Sequence, residues 1–329
     1  MSNRLRAGVT LGCVLITACG GGGNADDGDD GGPPEEEHPA GDIAGCGSDP
    51  LFTVHPVPLA DLRAIGPLGF MNPPSHVFPN QHVGFTPPFD EPPVLREPTL
   101  SAPGDIRITE VHNISTEVDG NTFNDYSIFF FPCAEARFYF GHVASLSDEL
   151  IAQLGPWEED ECDEDSSSTG GVIFRTCRKT VRIDMPAGSL LGTIGGPNQG
   201  SMDFGGSDTR VTLDWISPER LDPDSPWGPV HYVCALDYFE PTLRDELLAL
   251  IGTEMGPRVG EPLCGESMQD VQGSAQGRWY FSEMTYPEDP HLALARHPYD
   301  TGRGVVSIGT SVPGVPYGDF DFVPNQSGR

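Results

Sequence analysis

A mainly β protein with short helices is what this sequence predicts, and three observations carry that expectation. From Ile106 onward, short runs of β-branched and aromatic residues recur at close intervals. Glycine and proline, 41 and 33 of 329 residues, punctuate those runs as turn formers do. Only two stretches carry the start and stop signals of a helix.

In chain order, Arg4 and Arg6 precede a weakly apolar, uncharged run from Ala7 to Ala18. That order is a secretory signal. The run is diluted by Gly8, Thr10 and Gly12 and falls short of the roughly 20 apolar residues that span a bilayer. Leu15, Ile16, Thr17 and Ala18 before Cys19 resemble the bacterial lipobox, which implies cleavage after residue 18 and acylation of Cys19. Residues 19–45 are glycine, proline and acid with almost nothing apolar, a composition that cannot offset its own ordering entropy and reads as a disordered tether. Asp26, Asp27, Asp29 and Asp30 lack the later glutamate of an EF-hand and read as solvated charge.

Between Pro50 and Pro103 prolines recur every few residues, so an extended, irregular wrap is expected. Strands are expected at Ile106–Val111, Ser127–Phe131, Ala136–His142, Val172–Arg175, Thr180–Ile183 and Arg210–Trp215. Ser147 is placed to cap a helix through Leu154 that stops at Gly155. Pro241 suits the first turn of a second helix to Ile251, with Leu243, Leu247, Leu250 and Ile251 on one face. After Gly256 strands return at Arg278–Ser282, Leu292–Ala295, Val305–Gly309 and Asp319–Val323. The expected organisation is therefore signal peptide (1–18), tether (19–45), a β domain with its Pro-rich wrap (46–255) and a small antiparallel β domain (256–329). No finishing strand or cap follows Pro324, so a continuation of the natural chain is one expectation.

The net charge of −31, with Lys179 the only lysine, argues against nucleic acid as a partner. Of eight cysteines, Cys13 leaves with the signal and Cys19 takes the lipid. Cys46, Cys133, Cys162, Cys177, Cys234 and Cys264 remain, and an exported chain uses such a set for disulfides. The pairing is open from sequence; short loops favour Cys162 with Cys177 and Cys234 with Cys264.

Four segments, taken in order, resemble the lysostaphin-like (LytM-type, duplicated hybrid motif) zinc endopeptidases of bacterial cell walls. Pro73 to His82 stands where that family carries its first zinc-binding His-x-x-x-Asp, and Ala102-Pro103-Gly104-Asp105-Ile106 resembles an early strand of the family. Phe138 to Val143 is similar to the strand ending in Tyr-x-His, with one extra residue between Tyr139 and His142. Met185 to Gly192 resembles the hairpin before the family's His-x-His. The resemblance implies a lysostaphin-like β-sheet or barrel-type domain over roughly Leu68 to Asp208. It also implies a site in which His76, His82 and Asp203 would hold zinc and His142 would assist the reaction.

The departures are specific. The family's aspartate ligand falls on Asn80 or Thr86, and Ser201-Met202-Asp203-Phe204 keeps neither histidine of His-x-His. Catalytic zinc needs three protein ligands and an open position for water. The expectation is a relative that kept the fold and lost the reaction: an envelope-anchored binding protein without cofactor, facing peptidoglycan or a surface protein or glycan. An active zinc hydrolase and a structural scaffold are the alternatives. Gly20 after Cys19 favours the outer membrane or cell surface over the inner membrane. Elsewhere, Gly265 to Gln269 is an incomplete nucleophile elbow, His291 and His297 are expected at strand ends on the surface, and the aromatics of Gln276 to Tyr280 are expected to pack in a core.

Overall fold

Large apolar side chains at every second position build the main sheet. Ile128, Phe130, Phe138 and Phe140 alternate along two neighbouring strands, so all four face the same side and are fully buried. The computed structural model describes residues 38–90, 94–118, 121–165, 173–195, 200–221, 225–281, 283, 288, 290–310 and 314–324. Cys19, the signal segment and most of the tether lie outside them.

Among the described residues the main sheet has ten strands. They are β1 (Ala64–Gly66), β2 (His82–Thr86), β3 (Thr99–Ser101), β4 (Ile106–Val118), β5 (Asn121–Cys133), β6 (Ala136–Leu146), β7 (Cys162–Asp165), β8 (Ile173–Met185), β9 (Leu190–Ile194) and β10 (Met202–Asp208). The order is β1-β2-β10-β6-β5-β4-β8-β7, with β9 paired to both β3 and β6, and the sheet stays open instead of closing into a barrel. All these pairings are antiparallel. Phe52, Phe85, Phe204 and Phe239 complete the aromatic core, with Phe140 and Phe204 centroids 4.7 Å apart and Phe52 and Phe138 4.9 Å apart. Burying each such ring stabilises the fold by roughly 1.5–3 kcal/mol.

Both expected helices form. In α1 (Asp148–Leu154) the Ser147 hydroxyl accepts from Leu150 N at 3.2 Å, and Gly155 ends the helix at a positive φ of 70°. Helix α2 (Pro241–Leu248) starts at the proline but stops short of Ile251; Leu247 and Ile251 are nevertheless buried. Cys162 pairs with Cys177 and Cys234 with Cys264, as loop length favoured, and Cys46 bonds Cys133.

A second sheet is formed by β11 (Gly277–Trp279), β12 (Leu292–Arg296), β13 (Gly304–Ile308) and β14 (Gly318–Phe322), in that order and antiparallel. Its inner face is thin: Ala293, Ala295 and Val305 pack on Met71 and Phe78, which come from the Pro-rich stretch. The Cys234–Cys264 bond and a bridge between Leu68 and Gly265 join residues on either side of Gly256.

Several local expectations need correction. The Pro-rich stretch holds strands β1, β2 and β3 as well as irregular wrap, because its prolines stand outside them. The two short strands expected at 172–175 and 180–183 fall on one long β8, apart from Val172, which lies outside the described residues, and Thr176 to Lys179 between them keep their pairing with β4. Arg210–Trp215 is not a strand: Arg210 turns back onto Asp208, and the next residues bond to 230–231 singly. The described residues 38–45, expected to belong to the tether, make specific contacts. There Ala40 is buried, His38 packs edge-on to Phe131, and Arg107 donates to the Ala40 carbonyl at 2.8 Å. His291 is not at the surface but wholly buried, stacked on Phe78 at 5.4 Å. Trp279 is half exposed, whereas Tyr280 packs against the small core.

Candidate functional site

The candidate site grows from three adjacent strands. Asp203 on β10 lies directly opposite Gly84 of β2 on one side and Gly141 of β6 on the other. With no side chain at either neighbour, the sheet surface around Asp203 is a hollow. His82, two residues before Gly84, shares the Asp203 face by strand alternation.

His142 reaches that face by a different route. Alternation from Phe138 and Phe140 would send it into the core. Between the pairs Ile128–Phe140 and Tyr126–Val143, however, β6 holds one residue more than β5. This bulge returns Val143 to the core and turns His142 outward. His142 also has a φ of 58°, and among the described residues it is the one non-glycine with positive φ. Strain of this kind persists where the surroundings over-determine it, often at functional sites.

The side chains form a chain of alternating acid and imidazole. Asp125 Oδ2 lies 2.8 Å from His142 Nδ1, His142 Nε2 lies 3.5 Å from Asp203 Oδ2, and Asp203 Oδ1 lies 3.1 Å from His82 Nδ1. With Nδ1 of His82 donating to Asp203, its Nε2 accepts from the Asn80 amide at 3.3 Å. His76 sits edge-on to His82 at 5.5 Å. His76, Asn80, His82, His142 and Asp203 line a cavity of about 620 Å³, shared with Asn72, Ser75, Ser201 and Tyr299.

The charges follow from the contacts. The Asp125 hydrogen bond outweighs burial and raises His142 to about 9, so at neutral pH it is a cation between two carboxylates. Burial works to raise Asp203, but the hydrogen bond from His82 and the nearby histidine charges hold it below the usual carboxylate range. Burial, and then the neighbouring His82, lower His76.

The structure thus brings together all four residues that the sequence singled out: His76, His82, His142 and Asp203. Sequence reasoning missed Asp125, which stands on the outward face of β5 with Ser127 and Phe129; once β5 is paired with β6, alternation alone would have pointed to it.

The set does not fit a preformed zinc centre. Ligands stand about 2.0–2.1 Å from zinc, so no two on one ion lie more than roughly 4.2 Å apart. Among the described residues, the group of three candidate ligand atoms within 4.8 Å of one another is Cys46, Cys133 and Glu135. Those cysteines are joined in a disulfide and offer no thiolate. In the histidine pocket both Asp203 oxygens and both His82 nitrogens already have partners.

Compared with protein-family models, with curated proteins and with solved structures, the chain matches none of them. Among the described residues, no helix is long and apolar enough to cross a membrane.

Proposed function

We propose that this chain is an envelope-anchored lipoprotein, tethered through Cys19, whose histidine pocket binds a cell-wall or surface ligand without catalysing its hydrolysis. The observation that carries the reading is the closed run Asp125–His142–Asp203–His82, in which each acid and imidazole has a protein partner. A catalytic zinc site would leave ligand lone pairs directed at one point and an open position for water. Here the Asp203 oxygens face imidazole N–H groups of His82 and His142 instead. The cavity is large enough for part of a peptide or glycan, and its wall of Asn72, Ser75, Asn80 and Tyr299 supplies neutral polar contacts. The reading retains the lysostaphin-like resemblance as an account of ancestry, in which the fold is kept and the reaction lost.

The test is co-sedimentation of the purified protein with insoluble wall material, beside elemental analysis after dialysis against a weak chelator. Saturable binding that His82→Ala weakens at least tenfold, with no retained metal, is the expected result. Near one zinc per chain, together with wall degradation lost in His82→Ala, would replace binding by hydrolysis. Neither binding nor metal would leave a scaffolding role.

A further inference from the structure

A second cavity, of about 370 Å³, shares no lining residue with the histidine pocket and is lined by Gln81, Arg220, Trp227, Tyr232, Arg278 and Glu288 among others. Arg278 is built into its wall. The guanidinium lies between two rings, 4.3 Å from the centroid of Trp215 and 4.9 Å from that of Phe78. Phe78 is itself fully buried and stacked on His291. One Arg278 nitrogen donates to the Pro79 carbonyl at 3.2 Å, yet its Nε is buried without a hydrogen-bond partner. Trp227 Nε1 is in the same state. Buried donors left unmet are costly, and both of these lie beneath the surface on residues that line this cavity.

The charge pattern agrees. Acidic side chains outnumber Lys and Arg by 49 to 18 in this chain. Among the described residues Arg278 nonetheless forms no ion pair with any of them. Arg220, stacked over Tyr280 at 4.8 Å, brings a second guanidinium to the same cavity. Stacked arginine is the side chain best suited to planar, bidentate recognition of an oxyanion.

We propose that this cavity is a binding site for a carboxylate-bearing, ring-sized ligand such as a hexuronic acid, held by Arg278 and Arg220 with Trp227 and Tyr232 against its apolar faces. Glu288 selects a carboxylate over a phosphate. It accepts from Phe78 N at 3.1 Å, and burial pushes its carboxyl up toward the protonated form. A dianion meets more repulsion from this lining carboxyl than a single negative charge does. This proposal does not rest on the reading given to the histidine pocket, whose lining residues are different.

The test is titration of the full chain with glucuronate and, separately, with inorganic phosphate, read by quenching of tryptophan fluorescence and by calorimetry. Glucuronate should bind saturably in the submillimolar range and phosphate at least tenfold more weakly. Arg220→Gln should weaken glucuronate at least tenfold with an unchanged melting temperature, and it carries the test if Arg278→Lys fails to fold. His82→Ala should bind glucuronate as the unaltered protein does. Absence of saturable binding, tighter binding of phosphate, or an Arg220→Gln variant with full affinity would each overturn the proposal.

Discussion

The two sheets are held together by different means. The main sheet is filled by its own alternating phenylalanines, with Phe130, Phe138, Phe140 and Phe204 packed ring to ring. To its hydrophobic cluster the small sheet contributes the buried Ala293, Ala295 and Val305, and it borrows Met71 and Phe78 from a segment about two hundred residues upstream. The difference shows where the site gets its rigidity. Asp203 and His142 stand on strands anchored by the aromatic core, whereas His76 lies in the borrowed segment and His82 at its end. The histidine pocket therefore lies where the self-sufficient sheet meets the dependent one.

The largest effect should come from cutting into the first region. Phe138→Ala removes a ring that touches Phe52, Phe130, Phe204 and Tyr238. A loss of about 3–5 kcal/mol is expected, measured by denaturant unfolding as one global transition. A loss under 1 kcal/mol would mean that the main sheet does not depend on its aromatic core.

Removing the Cys234–Cys264 bond sharpens the contrast. Its sequence separation of 30 gives about 3.5 kcal/mol on loop entropy alone. The double serine variant should lose hydrogen-exchange protection first in the small sheet, which lacks a large core of its own. Equal loss in both sheets would contradict that ranking.

The smallest effect is a pH dependence. His142 is raised from 6.5 to about 9 in the folded state, so its contribution is fully present below pH 6.5 and is lost as pH rises through about 9. The side chain is half exposed, and solvent screening keeps the effect to about 0.2–1 kcal/mol. Melting temperatures at pH 6 and 9.5 should converge in Asp125→Asn relative to the unaltered protein. Identical pH profiles for the two would remove Asp125 as the partner of His142.

Much of this protein was legible from local pattern. Short runs of β-branched and aromatic residues marked parts of β4, β5, β6, β12, β13 and β14, and Ser147, Gly155 and Pro241 marked helix ends, because these signals arise between residues that are neighbours on one element. Loop length also favoured two of the disulfides. The site was half legible: His76, His82, His142 and Asp203 were chosen by order and spacing, but their association requires β10 to lie between β2 and β6, and Asp203 is 119 positions from its partner Gly84 and 62 from its partner Gly141. The extra residue that turns His142 outward was visible as a spacing irregularity, yet it became a bulge only against the register of β5. Asp125, the burial of His291 and the borrowed core of the small sheet left no local trace. Alternation determines which side chains share a face of a strand. Only the tertiary structure decides which strands are neighbours, and therefore which of those faces meet.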